Sequence, residues 1–216
     1  MYIYRCRIML HEPLFFATRE IGRLYETGRY LHNYALTYAL GLVQSPWFHA
    51  EQVPHYADDL VPLRDMCYVT PAAPEQVTFQ LATFKYGEEL LHVEMEQASR
   101  NTPSFGRAKE LAPESTFRCY VLSAAPIALP RWIRLGKWHS KALVETEEIE
   151  VKLRNDAYVA AGPLNPLDVQ AGVLRAFDII SMPPSSLVAN ARCSGDYYEV
   201  ERGIGLPVGL RYTFPT

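Results

Sequence analysis

Few cysteines, no long apolar run and no excess of one charge set the first limits. The four cysteines, Cys6, Cys67, Cys119 and Cys193, are far apart and contain no CxxC pair. That spacing argues against a zinc ribbon or a thioredoxin-like dithiol. No stretch approaches the roughly 18 apolar residues of a membrane-spanning helix. The first ten residues, MYIYRCRIML, carry Arg5 and Arg7 inside their apolar stretch. A signal peptide places its charges before an unbroken apolar run. A reducing, cytoplasmic location with four free thiols is expected. The net charge is −3, which excludes a uniformly basic nucleic-acid binder and leaves a local basic patch open. His11, His32, His49, His55, His92 and His139 form no HxH or HExxH pattern, and no GxSxG or P-loop occurs. No metal and no cofactor are therefore expected. No repeat or low-complexity segment is visible.

What is present is an ordinary globular composition, 49% hydrophobic and 21% charged over 216 residues. One domain spanning 1–216 is expected, large enough to bury about 70% of its unfolded surface. Proline is frequent, 16 residues, and marks many loop corners.

Tyr2, Tyr4, Cys6, Ile8 and Leu10 alternate with Arg5 and Arg7, the pattern of a half-buried strand. A basic loop follows, about 11–28. Tyr30, Tyr34, Tyr38 and Leu42 recur every four residues and predict a helix over Arg29–Val43, with Thr27 as N-cap and Pro46 beyond its end. Residues 46–75 contain five prolines and read as a long irregular connection. Val77–Phe84 suits a strand. Leu91, Val93 and Met95 alternate with His92, Glu94 and Glu96 and suit the second strand of a hairpin turning at Tyr86-Gly87-Glu88, with a short helix over 88–98 as the rival; 99–115 reads as a loop, so that about 77–115 is expected to protrude as a hairpin or loop. Phe117–Leu122 is a strand, Ile133–Val144 is extended with a bend at Gly136, and Glu145–Glu150 form an acidic edge. Leu167–Phe177 reads as a short helix, and Tyr197–Glu201 and Leu210–Phe214 as strands around a Gly-rich turn. One early helix among several strands predicts an α+β fold with an antiparallel sheet, a βαββαβ ferredoxin-like core being favoured.

Three segments could carry chemistry. Arg131, Arg134, Lys137, His139 and Lys141 are interleaved with Trp132 and Trp138 and with no acid. Cations meet phosphates and rings stack on bases, which is what a single-stranded nucleic acid requires. The alternative is a twisted strand with its tryptophans in the core and its cations solvated. The first 32 residues carry Arg5, Arg7, Arg19, Arg23 and Arg29. Arginine suits bidentate phosphate contact, although a solvated strand face and loop would look the same. Gly203, Gly205 and Gly209 lie before the last predicted strand, where bare backbone could approach a phosphate or simply turn. His32, beside Tyr30 and Asn33, could act as a general base in a metal-free ribonuclease, and His139 is a second candidate.

The stretches GRLYETGRYLHNYALTYALGL (22–42) and WIRLGKWHSKALVE (132–145) resemble the RAMP subunits of type I-D CRISPR Cascade complexes, the fifth Cas family, Csc branch. The resemblance implies a ferredoxin-like, RRM-like RAMP core with a protruding segment. It implies a non-catalytic subunit in antiviral defence that holds the 5′ handle of the crRNA and docks the large and backbone subunits. Target DNA near the PAM is a further partner it leaves open. RNA contact then falls to Arg19, Arg23 and Arg29, to Tyr30, His32 and Asn33 at the helix start, and to Arg131, Arg134, Lys137, Trp138, His139 and Lys141. Trp138 is the stacking candidate, and Arg5, Arg7, Gly203, Gly205 and Gly209 are weaker ones. The alternative is a metal-independent crRNA-processing endoribonuclease of the same fold.

Overall fold

The computed structural model describes residues 1–43, 54–85 and 105–214. In chain order these form β1 (Tyr2–Leu10), β2 (Arg19–Ile21), β3 (Leu24–Glu26), helix α1 (Asn33–Ala39) and helix α2 (Tyr56–Leu60). Strands β4 (Cys67–Val69), β5 (Ala73–Gln76), β6 (Phe79–Lys85), β7 (Phe105–Leu111) and β8 (Thr116–Ser123) follow. The remainder is β9 (Trp132–Leu135), β10 (Ser140–Glu148), β11 (Lys152–Ala160), β12 (Leu174–Ile180), β13 (Leu187–Glu201) and β14 (Ile204–Pro207). The chain is mostly β, built of largely antiparallel sheets with one helix packed among them.

The first sheet has the order β4-β8-β1-β10-β9, with β5 also pairing β8. The second runs β11-β14-β13-β12, and the third β2-β3-β7-β6. Alternation in β1 decides the layering. Tyr4, Cys6, Ile8 and Leu10 enter one core with Phe117, Cys119 and Val121 of β8. On the other face Ile3, Tyr120 and Leu122 join a second core against Tyr158, Val188 and Tyr197 of the second sheet. Helix α1 explains its own apolar surroundings. Leu36 and Leu40 face the first core, and Tyr34 and Tyr38 the second.

A buried polar knot ties the cores together. Asp168 accepts hydrogen bonds from the Asn33 side-chain amide at 2.9 Å, the Tyr68 hydroxyl at 2.9 Å and the Thr213 backbone N–H at 2.9 Å. Burial nevertheless pushes its carboxyl up to about 6, the hydrogen bonds opposing the rise.

Several expectations are corrected. The helix is shorter than Arg29–Val43, because the cap is His32 and not Thr27. The His32 Nδ1 accepts from the Tyr34 backbone N–H, and the αL glycine Gly41 follows the last turn. Within 46–75 the structure has α2, a 3-10 turn at Val61–Leu63, β4 and β5. Within 99–115 it has β7, which lies between β3 and β6 in the third sheet, where a loop was expected. The expected helix at Leu167–Phe177 is a 3-10 turn at Pro166–Asp168 followed by β12. Leu210–Phe214 is unpaired, though Leu210 and Tyr212 are buried. The elements expected over 88–98 lie outside the described residues, as does Pro46. All four cysteines are free, as expected. No helix of the described residues is long and apolar enough to cross a membrane.

Candidate nucleic-acid interface

The basic segment 131–141 is a hairpin. Strand β9 pairs antiparallel with β10, Trp132 opposite Leu143 and Arg134 opposite Lys141. Ile133 and Leu135 are buried, so the alternate residues Trp132 and Arg134 face outward. The turn requires glycine. Gly136 has φ +70°, and a Cβ there would lie 2.4 Å from Leu14 and 2.5 Å from the Phe15 carbonyl oxygen. The loop 11–16 clamps the turn from that side. Lys137 N–H donates to the Phe15 carbonyl at 2.9 Å, and the Ser140 hydroxyl donates to the Pro13 carbonyl.

This clamp positions both indoles outside the core, where the sequence had left a buried alternative. Trp138 is 50% exposed and stacks one face on Phe15, centroids 4.7 Å apart at 27°. Trp132 is 42% exposed, with the Lys141 ammonium 4.1 Å from its ring centroid and the His11 ring edge-on at 4.9 Å. Arg134 bonds Glu12 at 3.1 Å and the His139 carbonyl at 3.0 Å. Arg131 and Lys137 are exposed and have no acidic partner among the described residues. His139 is exposed, with φ +54°.

Between this hairpin and α1 runs a groove of about 710 Å³. Ala35, Tyr38 and Ala39 form one wall, and Trp132, Arg134 and Lys141 part of the other. A smaller apolar cavity of about 240 Å³ shares Ala35, Tyr56, Leu135 and Gly136 with it, and reaches His32 and Pro184.

The other sequence candidates are dispersed. Arg19 lies in β2 and pairs with Glu26, whose carboxyl it holds below the usual range. Arg23 sits at the β2–β3 turn, its carbonyl accepting from Arg107 N–H. Arg29 is exposed, Tyr30 half-buried. His32 and Asn33 are interior residues and present no surface to a nucleotide. The His32 Nδ1 accepts from Tyr34 N–H, so Nε2 carries the proton and donates to Ser185, whose hydroxyl is at 3.0 Å and carbonyl at 3.2 Å. Burial lowers this ring to about 4. Asn33 donates to Asp168 and to the Tyr68 hydroxyl.

Arg5 and Arg7 lie on the open face of β1, as expected. Their cross-strand partners Glu147 and Glu145 neutralise them, at 2.6 Å and 3.2 Å. The acidic edge read from the sequence is therefore half of an ion-pair ladder. Gly205 is a packing glycine in β14, since a Cβ would lie 2.3 Å from the Tyr197 ring. Gly203 makes the β13–β14 turn, and Gly209 packs on Gln170. The sequence reading missed Phe15, His11 and Glu12, the residues that support the hairpin. Their only signal is the run HEPLFF at 11–16 inside an otherwise polar loop. Among the described residues no group of three His, Cys, Asp or Glu could hold a metal ion.

A family profile described as "Type I-D CRISPR-associated protein Cas5/Csc1" matches residues 1–215, and the chain belongs to that family. No curated protein matches the sequence. Among solved structures, the chain is similar to one in a cryo-EM structure of the type III-B Cmr-beta complex bound to cognate target RNA and AMPPnP. That likeness is 11% identical with TM-score 0.46, covering 90% of this chain and 86% of the other. A second, in Cmr-beta bound to cognate target RNA, is 13% identical with TM-score 0.48, covering 89% and 86%.

Proposed function

We propose that this chain is a non-catalytic, cytoplasmic RNA-binding subunit of a type I-D CRISPR surveillance complex, holding the 5′ handle of the crRNA and docking the large and backbone subunits. Membership of the type I-D Cas5/Csc1 family supplies the context. The observation that carries the RNA assignment is the exposed hairpin 131–141, with outward Trp132 and Trp138 and the cations Arg131 and Lys137, which have no acidic partner among the described residues. The order β4-β8-β1-β10, with α1 between β1 and β4, supports a ferredoxin-like RAMP core in which a strand, β9, stands in place of the second helix. Arg5, Arg7, His32, Asn33, Gly205 and Gly209 fall out of the RNA-binding set, because ion pairs, burial or packing occupy them, and Gly203 serves the β13–β14 turn. Arg19, ion-paired to Glu26, falls out on the same ground, and Arg23, Arg29 and Tyr30 remain a second contact region beside the third sheet.

The endoribonuclease alternative loses its first base. His32 has both ring nitrogens engaged inside the fold. His139 on the hairpin is the remaining candidate. Incubation of the pure chain with labelled repeat RNA in chelator tests both readings. Retention of intact RNA supports the proposal. Cleavage that His139→Ala abolishes replaces it with the enzyme. No binding by the chain or by its assembled complex refutes both.

A further inference from the structure

The groove between α1 and the β9–β10 hairpin has no role in the reading above. Its volume, about 710 Å³, lies within the roughly 300–1,000 Å³ of small-ligand sites. Its apolar aliphatic lining is Ala35, Ala39, Ile133 and Leu135. Three aromatic side chains, Tyr38, Tyr56 and Trp132, line it, and Arg134, His139 and Lys141 are its basic members. No carboxylate is among its described lining residues. Flat π surfaces beside cations complement a ligand that is itself flat and anionic; Glu12 takes up one of those cations, Arg134, and Asp59 accepts from the Tyr38 hydroxyl behind the lining. An extended peptide segment would need partners for its backbone N–H and C=O groups, which these apolar side chains do not offer.

The Trp132 ring is pre-set for such a ligand. Lys141 holds it by a cation–π contact and His11 supports it edge-on. Trp138 lies on Phe15, outside the groove lining. The hairpin thus offers two separate aromatic surfaces. Trp138 is a platform on the hairpin surface, and Trp132 lines the groove beside α1.

Resting on the RNA-binding reading, we propose that this groove is a nucleotide slot. One base of the bound single strand leaves the stack and inserts between α1 and Trp132, and its phosphate meets Lys141. The Trp138 platform then serves a neighbouring base.

The test fills the slot without touching a cation. Ala35 is exposed on the groove wall, so Ala35→Trp, with Ala35→Phe as a milder filler, is compatible with folding, which a thermal melt checks. The probe is a short single-stranded RNA of mixed sequence carrying one 2-aminopurine. Affinity is read by anisotropy over a salt series, and stacking by quenching of the probe. The expected result is binding about 5- to 150-fold weaker for Ala35→Trp, the cost of one stacked base, with an unchanged salt slope and lost quenching. Trp132→Ala should give the same pattern. If the wild type binds RNA and both fillers bind equally well with normal melts, the slot is overturned while the RNA-binding role stands. If the fillers lose assembly with the other subunits but keep RNA affinity, the groove is a protein dock and the slot is again overturned. If neither the wild-type chain nor its complex binds RNA, the function reading fails and the slot fails with it.

Discussion

Trp138 lies flat on Phe15, with half of the indole still open to solvent. One face of the ring is thus fixed by the protein, and the other is available. A ring held this way loses little freedom when a base stacks on it, because its partner is already in place.

Trp138→Ala is expected to weaken binding of single-stranded RNA by about 1–3 kcal/mol. The melting temperature should change little, since a half-exposed indole contributes less than the ~3–5 kcal/mol of a buried one. The slope of log affinity against log salt should stay the same. Anisotropy titrations at several salt concentrations, beside a melt, check all three. A large loss of stability would return Trp138 to the core role.

Gly136→Ala should act on the hairpin itself. The residue has φ +70°, where a Cβ costs about 1–2 kcal/mol even in open space. Here the Cβ would also meet the Phe15 backbone at 2.5 Å, which cannot swing away as a side-chain tip would. Chemical denaturation should register at least that loss, and tryptophan emission should shift as the Phe15–Trp138 stack is displaced. Unchanged stability would contradict the clamped turn.

Two buried groups make opposite pH contributions to stability. Asp168 has a folded value near 6, above the usual about 3.9 of an unfolded aspartate. Its contribution, ~3 kcal/mol, is present below pH 4 and is lost as pH rises through 6. His32 has a folded value near 4, below the usual about 6.5. Its contribution, also ~3 kcal/mol, is present above pH 6.5 and is lost as pH falls through 4. Between pH 4 and 6.5 the two largely cancel in the wild type. Relative to wild type, Asp168→Asn should lose melting temperature on acidification, and His32→Gln should gain it. Melting curves that run parallel for all three proteins would refute the assignment.

The ion-pair ladder on the open face of β1 should contribute little. Arg5→Ala removes a largely exposed pair with Glu147, a class that contributes about 0–1 kcal/mol. RNA affinity and its salt slope should be unchanged, because Glu147 already neutralises this arginine. A flattened slope in Arg5→Ala would restore Arg5 to the RNA-binding set.

Legibility in the sequence followed the range of the physics. The alternation of β1 and the aromatic and basic hairpin are local, period-two patterns, and both are where the sequence puts them. The helix overshoots because Tyr30 and Leu42 continue the stripe of Tyr34 and Tyr38, while His32 caps after Tyr30 and Gly41 follows the last turn. Strand β12 reads as helix because its register shifts near Ala176 disturb the alternation a strand should show. The neutralisation of Arg5 and Arg7 was not legible at all. Glu147 and Glu145 are 142 and 138 residues away in the chain, and only the pairing of β1 with β10 brings them together. The groove was equally invisible, because its walls come from residues a hundred positions apart.

The most direct test of the central claim is the salt dependence of RNA binding in Lys137→Ala. Lys137 is exposed, sits at the tip of the basic hairpin and has no acidic partner among the described residues. If its ammonium meets a phosphate, its removal deletes one released counterion. The slope of log affinity against log salt should then flatten by roughly one unit, equally for single strands of any sequence, with an unchanged melt. An unchanged slope and affinity, in a protein that otherwise binds RNA, would contradict the assignment of this hairpin to the RNA backbone.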